Sequence, residues 1–293
     1  YNDKKSKVYK MEKAHLVSKV LVHDSNPEYS DRIKIFCDNN NLIGVRGQHD
    51  NIMDLLKSNI DLGAILLSES TPDDPTGGIV LGFEIHKIRP ELPIFLRREN
   101  NASLDDLDEG IQRAFAAGYQ IDEIDKLKPY LDEYIFSLYY PSILVRGIQE
   151  ITVEALTSQF KDVSVETNLP YIVRDRIIYG ELFSLIPIES SWCRGYLMLL
   201  TNEDNMMDMV KLNKTSIQGE CADFRSMNEV FAEVTNMIWG AFKARYIEDE
   251  DLLKENRVLT QVPIIVNQQH KYMSFGTDQP QLCFKYEIQD TSD

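Results

Sequence analysis

Short apolar runs alternate with amphipathic segments through the first half of the chain. The apolar runs read KVLVHD, LIGVRG, LGAILLS and LPIFLRR, and the segments between them have helical spacing over 29–40, 49–58 and 77–89. Strands that alternate with helices in this way form a parallel sheet covered by helices on both faces. The pattern therefore predicts an α/β, doubly wound parallel sheet for the first domain.

A different pattern follows Pro141, where helical periodicity restarts over 142–160. The runs IIYGELFSLIPIE and CRGYLMLL predict two antiparallel strands joined by a turn, and a short helix is predicted at 204–211. The later runs VLTQVPIIV, HKYMSFGT and LCFKYEIQ are predicted strands. We therefore predict two domains, 1–141 and 142–293, of which the second belongs to the α+β class.

The stretch SMNEVFAEVTNMIWGAFKARY, residues 226–246, predicts a long amphipathic helix. On a helical wheel one face is an apolar stripe, formed by Met227, Val230, Phe231, Val234, Ile238, Ala241 and Phe242. The opposite face carries polar and small residues, namely Glu229, Glu233, Asn236, Gly240 and Lys243. Glu233 and Asn236 are three positions apart, so their side chains are neighbours in solvent. Gly240 costs a helix interior about 1 kcal/mol relative to Ala and leaves backbone that a partner can approach closely.

Charge and composition narrow the expected partners. The chain has 293 residues and a formal net charge of −16, so a nucleic-acid backbone or an anionic membrane would repel it. Proteins or small molecules are the expected partners, with no nucleic acid and no membrane. The four cysteines lack a C-x-x-C motif and the five histidines lack ligand spacing, so no disulfide framework and no metal site are predicted. With no membrane-length apolar run and no signal-peptide pattern, the chain is expected to be cytoplasmic.

The polar face of the long helix resembles a known catalytic motif. Glu233-x-x-Asn236, with Gly240 one turn later, is similar to the E-x-x-N…G helix of the CheC/CheX/FliY phosphatases, in particular the CheX branch with its single such helix. The order of elements after Pro141 also resembles a CheX-like domain, and the resemblance covers half of the chain. Trp239 departs from it, because the family usually has a small residue there. A Trp beside the working face is expected to narrow the choice of partner.

This resemblance implies a phosphatase for the aspartyl phosphate of a CheY-type response regulator in two-component or chemotaxis signalling. Asn236 would position the attacking water, and Glu233 would dock the conserved lysine of the partner. Glu229, Gly240 and Lys243 would contribute to partner binding. Mg²⁺ is expected on the partner receiver only, so this chain is expected to need no cofactor. A homodimer is expected because CheX-like domains form homodimers.

The first domain resembles a CheY-like receiver over roughly residues 19–141. The resemblance rests on Asp24 after the first strand, on DLGAILLSESTP and on EYIFSLYYP as the fifth strand. Ser68 stands where receivers carry the phosphate-accepting aspartate, and Tyr140 stands where their fifth strand ends in lysine. Arg97 or Arg98 replaces the hydroxyl residue after the fourth strand.

These replacements imply a degenerate receiver, or pseudo-receiver. A serine hydroxyl cannot form the acyl phosphate that a carboxylate nucleophile forms, and a single carboxylate holds Mg²⁺ poorly. The remnant of the receiver site would consist of Asp24, Ser68 and Tyr140, without phosphorylation.

Three alternatives remain open from the sequence. The first domain is also compatible with a flavodoxin-like scaffold without receiver ancestry. The long helix is also compatible with a module that binds a receiver without hydrolysing its phosphate. The whole chain is also compatible with a structural or scaffolding protein that has a degenerate domain at each end.

Overall fold

A computed structural model describes residues 14–47, 52–57, 61–174, 177–178, 181–189, 194–212, 214–215, 223–246, 264–267, 273–274 and 279–291. Up to residue 134 the elements are β1 (Val17–His23), α1 (Pro27–Asn39), β2 (Leu42–Arg46), α2 (Ile52–Lys57), β3 (Ala64–Ser68), α3 (Gly77–Ile88), β4 (Ile94–Arg97), α4 (Glu109–Gln112), β5 (Ala117–Tyr119), a 3₁₀ segment (Ile121–Leu127) and α5 (Lys128–Tyr134). The later elements are α6 (Ser142–Gln159), β6 (Val163–Thr167), β7 (Tyr171–Val173), β8 (Ile177–Ile178), β9 (Leu182–Glu189), β10 (Arg194–Thr201), α7 (Glu203–Lys211), α8 (Phe224–Tyr246), β11 (Ile264–Asn267), β12 (Met273–Ser274), β13 (Gln281–Cys283) and β14 (Tyr286–Asp290).

Five parallel strands form the centre of the first sheet, in the order β2-β1-β3-β4-β5. Flavodoxin-like and receiver-like doubly wound sheets have this order, and it reverses between β1 and β3. Every residue of β3 and β4 is buried, because central parallel strands are covered on both faces. The predicted α/β doubly wound class is confirmed for this part of the chain.

The fifth strand is not where the sequence pattern placed it. The run EYIFSLYYP begins in the last turn of α5, and its residues 135–140 belong to no strand. On the side of β4 away from β3, the pairing strand is instead β5, which is only three residues long. A three-residue strand is too short to show an alternating pattern. Pro129 in the first turn of α5 favours helix directly before the run that we predicted as a strand.

Two strands from the second half of the chain complete the first sheet. β7 pairs in parallel with the first residues of β1, and β13 pairs antiparallel with β7. The buried Ser18 hydroxyl donates to the Ile172 carbonyl oxygen at 2.7 Å, and the Tyr171 hydroxyl donates to the Asp61 carboxylate at 2.7 Å. These bonds fix β7 to the sheet through both its backbone and its side chains.

The chain divides into two compact units that interleave along the sequence. The first contains the chain up to Ser142 together with Leu169–Ile177 and Ser274–Lys285. The second contains Ile143–Asn168, Ile178–Met273 and Tyr286–Asp293. The predicted division into 1–141 and 142–293 falls where α6 begins, but two later segments belong to the first unit.

Among the described residues, the second unit consists of antiparallel strands and the three helices α6, α7 and α8. β9 lies between β10 and β11, and β6 pairs with β14. The antiparallel pairing of β9 with β10 agrees with the sequence pattern. Apolar residues of α6, α7 and α8 share one core with Leu182 of β9. Cys193, Cys221 and Pro263 lie outside the described residues.

Candidate functional site

Helix α8, which carries the predicted catalytic pair, is anchored at both ends. The Asp223 carboxylate accepts hydrogen bonds from the backbone N–H of Ser226 at 2.8 Å and from its hydroxyl at 3.0 Å. These bonds cap the first turn and lower the pKa of Asp223. In the last turn Arg245 pairs with Glu150 of α6 at 2.8 Å, and the Tyr246 hydroxyl donates to a carbonyl of α6 at 3.1 Å. Both ends of the helix are therefore fixed, which limits the movement of the side chains on its exposed face.

The buried face of α8 is apolar except for one hydroxyl. Thr235 is fully buried, and its Oγ1 lies 2.8 Å from Ser184 Oγ on β9 and 2.8 Å from the Phe231 carbonyl oxygen. The predicted stripe is correct except at its end, since Ala241 is exposed and Phe242 is only half-buried. The helix instead buries these residues: Met227, Val230, Phe231, Val234, Thr235, Ile238 and Trp239.

Glu233 and Asn236 both lie on the exposed face of α8, one turn apart. Within the described part of the chain, neither side chain makes a hydrogen bond or an ion pair. Glu229, one turn earlier, pairs with Arg225 at 3.1 Å. A Cβ added at Gly240 would meet no atom within 4 Å, so the backbone there is open. A carboxylate, a carboxamide and bare backbone thus lie together on the exposed face of α8.

Trp239 was predicted to lie beside this surface, but it does not. Its side chain is buried, and its ring stacks on Phe242 with centroids 5.8 Å apart. The indole is large and apolar, so the helix turns it into the core. Lys243 is half-buried, with its Nζ 5.5 Å from the centroid of the Trp239 ring. Of the predicted set on this face, Lys243 is therefore the least exposed.

A second group of polar residues lies at the carboxyl edge of the first sheet. Asp24 follows β1, Ser68 ends β3 and Arg97 ends β4. Arg97 Nε donates to Asp24 Oδ2 at 2.5 Å, and Nη2 donates to Asp24 Oδ1 at 3.3 Å and to Ser68 Oγ at 2.8 Å. The side chains of Arg97 and Asp24 are 2% and 3% exposed, so solvent screens their attraction little.

Two further groups complete the surroundings of Arg97. Nη1 donates to Glu99 Oε1 at 2.8 Å, and Cζ lies 4.6 Å from the centroid of the Tyr29 ring. Burial opposes the charge of Arg97, but hydrogen bonds and charges from Asp24 and Glu99 outweigh it and raise its pKa. Tyr119 ends β5, and burial together with the charge of Asp24 raises the pKa of its hydroxyl. Sequence reasoning missed Tyr119 because it missed β5.

Arg98 connects two loops near the carboxyl edge of the first sheet. It pairs with Glu69 after β3 and donates to both carboxylate oxygens of Asp106, at 2.9 Å and 2.6 Å. The Asp106 hydrogen bonds raise the pKa of Arg98, and burial partly opposes that shift. The prediction left open whether Arg97 or Arg98 replaces the hydroxyl residue. Arg97 ends the fourth strand and Arg98 follows it, and Arg97 is the one that contacts Asp24 and Ser68.

Tyr140 was predicted at this site, and the prediction is wrong. Its carbonyl accepts a hydrogen bond from the Ala14 N–H, three residues before β1 begins. Asp24 follows the other end of β1, and a strand of this length spans roughly 20 Å. Tyr119, which ends β5, lies at the same edge of the sheet as Asp24. The error came from placing the fifth strand too late in the sequence.

The residues at this edge do not fit a magnesium ion, which a receiver would hold there. Mg²⁺ requires several oxygen ligands in octahedral geometry. Both oxygens of Asp24 and the hydroxyl of Ser68 are instead hydrogen-bonded to the Arg97 guanidinium. Across the described residues, no group of three His, Cys, Asp or Glu side chains is placed to hold a metal ion. None of the described helices combines the length and apolar character needed to span a membrane.

The first unit thus has the doubly wound order of receiver-like and flavodoxin-like domains. No family model and no curated protein matches the sequence. Among solved structures, the chain is similar to the chemotaxis protein CheX from Desulfovibrio desulfuricans at 17% identity and a TM-score of 0.39. That match covers 50% of this chain and 91% of that one.

Two receiver domains are also similar to this chain. One belongs to the Francisella response regulator 1452, at 19% identity and a TM-score of 0.34, covering 40% of this chain and 95% of that one. The other is a CheY-like receiver domain protein from Methanospirillum hungatei JF-1, at 20% identity and a TM-score of 0.33, covering 40% and 96%.

Proposed function

We propose that this chain is a phosphatase that removes the aspartyl phosphate of a CheY-type response regulator. The observation that carries the proposal is the pair of exposed side chains, Glu233 and Asn236, on α8. Glu233 and Asn236 lie one turn apart, both are exposed, and neither is engaged by another described residue. Their spacing is that of the E-x-x-N motif, and Gly240 follows on the same face.

The proposed reaction requires only one catalytic group from this chain. An aspartyl phosphate on a receiver is already held by the Mg²⁺ and lysine of that receiver, so a phosphatase needs to place one water in line with phosphorus. The Asn236 amide has both a donor and an acceptor, and together they can orient a water. Because α8 is anchored at both ends, the amide is held on a rigid element.

Recognition is assigned to the residues around the amide. Glu233 is proposed to pair with the lysine of the partner receiver, and this pair sets the register of docking. The bare backbone at Gly240 lets the partner approach closely, while Glu229 and Lys243 flank the contact. Mg²⁺ belongs to the partner, so this chain supplies no cofactor. The same resemblance leads us to propose a homodimer, which light scattering of the purified chain tests.

Turnover with a phosphorylated, Mg²⁺-loaded receiver tests the proposal. Asn236→Ala is expected to lower kcat/KM about 100-fold or more, because the amide acts mainly in the transition state. Asn205→Ala on α7 is the matched control, since Asn205 is also an exposed helical asparagine. Equal turnover by the parent and Asn236→Ala across several receivers would refute the assignment.

A module that binds a receiver without hydrolysis is the second candidate, and calorimetry separates the two. For a phosphatase, Glu233→Lys weakens binding to a phosphomimetic receiver, whereas Asn236→Ala spares binding and removes turnover. Equal loss of affinity in both variants, without turnover by the parent, would identify a binding module.

A further inference from the structure

The crevice at the carboxyl edge of the first sheet is filled by a cation of the chain itself. Doubly wound sheets bind ligands outside the carboxyl ends of their strands, where the strand order reverses. In this chain the reversal lies between β1 and β3, so Asp24 and Ser68 flank the crevice. The guanidinium of Arg97, from β4, hydrogen-bonds to both residues.

We propose that Arg97 is a built-in cation that takes the place of a divalent metal in this crevice. The guanidinium satisfies both oxygens of Asp24, and it meets a second carboxylate, Glu99, at 2.8 Å. It also rests on the ring of Tyr29, a favourable position for a delocalised cation. Both oxygens of Asp24 therefore have a charged hydrogen-bond donor without a metal.

A covalently attached cation differs from a metal ion in one functional respect. A bound metal dissociates and exchanges, whereas an arginine neither leaves nor loses its proton in a protein. The first unit is thereby held in one state, closed to Mg²⁺ and to phosphoryl groups. This inference does not depend on the phosphatase activity proposed for α8.

The missing acceptor carboxylate is then not the main barrier to metal binding. Ser68 Oγ already lies 2.8 Å from Arg97 Nη2. A carboxylate introduced by Ser68→Asp would therefore pair with the guanidinium and would leave no open ligand for a metal. Restoring a metal site requires the removal of Arg97 as well.

The proposal is tested by measuring the melting temperature of the full chain in millimolar Mg²⁺ and, for comparison, in Na⁺ at equal ionic strength. A metal that binds only the folded state raises the melting temperature. The parent and Ser68→Asp are expected to show no Mg²⁺-specific rise. Ser68→Asp/Arg97→Ser is expected to gain several degrees, and Ser68→Asp/Arg98→Ser, the matched control, is expected to gain none. A gain in Ser68→Asp alone, or none in Ser68→Asp/Arg97→Ser, would overturn the proposal.

If the variants without Arg97 fail to fold, a double variant in which both members of the ion pair are neutral tests the proposal instead. Asp24→Asn/Arg97→Met removes both charges and keeps the approximate volume, so it is expected to fold and not to respond to Mg²⁺. Unfolding of Asp24→Asn/Arg97→Met would show that Arg97 has a packing role unrelated to charge, and the proposal would fall.

Discussion

Gly240→Ala should raise the free energy of unfolding of the chain and lower its kcat/KM for receiver dephosphorylation. Gly240 is exposed inside the helix Phe224–Tyr246, and an added Cβ would meet no atom within 4 Å. The new methyl therefore has no steric cost, and the better helix propensity of Ala adds about 1 kcal/mol to the free energy of unfolding. In a chain of this size that corresponds to a rise in Tm of about 2–4 °C.

The effect on turnover has the opposite sign. If the backbone of a receiver approaches Gly240 closely, the methyl lies between the two surfaces, one turn from Asn236. Overpacking by one methyl costs about 1–3 kcal/mol, which lowers kcat/KM by about 5- to 150-fold. A more stable but slower protein is a combination that general damage to the fold does not produce.

Thermal melting and receiver dephosphorylation, measured on the same preparations, check both parts. Gly110→Ala is the matched control, because Gly110 is also an exposed helical glycine with open space at its Cβ. It should raise Tm without changing turnover. A lower Tm for Gly240→Ala would contradict the open helix surface. Unchanged turnover would show that no partner approaches Gly240.

A chain ended after Pro141 lacks β7 and β13, so we expect a lower Tm and a broader transition by circular dichroism; a melt as sharp and as high as that of the full chain would contradict the pairing. Thr235→Val leaves the buried Ser184 hydroxyl without its partner and should lower the free energy of unfolding by about 1–3 kcal/mol in urea, whereas no loss would argue against that hydrogen bond. Burial raises the pKa of Cys37 and of Cys283 from 9.0 to about 12. The folded chain thus keeps protons that unfolded thiols release, and stability should fall as pH rises from 9.0 towards about 12. Alkylation of the native chain at neutral pH, mapped by peptide mass spectrometry, should be slow at both thiols, because Cys37 is buried and Cys283 is half-buried with a raised pKa. Rapid labelling of either would contradict this expectation.

Elements with long patterns could be predicted from the sequence, and short ones could not. The first four strands of the sheet are apolar runs bounded by helical segments, and each was placed correctly. β5 and β7 have three residues each and were not predicted, and the run LCFKYEIQ, predicted as one strand, is divided between the short strands β13 and β14. Strands this short contain too few positions for a period of two to appear. Their place in the sheet depends on pairing with distant strands, which local sequence does not encode.

At the candidate sites, too, local patterns could be predicted from the sequence, and contacts between distant residues could not. The exposed face of α8 follows from a period of 3.6 residues, so Glu233 and Asn236 were correctly placed in solvent. The burial of Trp239 could not be read from the wheel, because the indole lies at the edge of the apolar stripe. The pairing of Arg97 with Asp24 joins residues 73 positions apart. Such contacts exist only once the sheet has brought both strand ends together.

The path of the chain through the first sheet has a consequence for biosynthesis. Most domains near the N-terminus of a protein complete their folding on the ribosome before later segments are made. Here Ser18 bonds to a residue 154 positions later, and β13 is translated only after α8. The first sheet therefore remains incomplete, with β7 lacking its partner β13, until the helix proposed as catalytic has emerged.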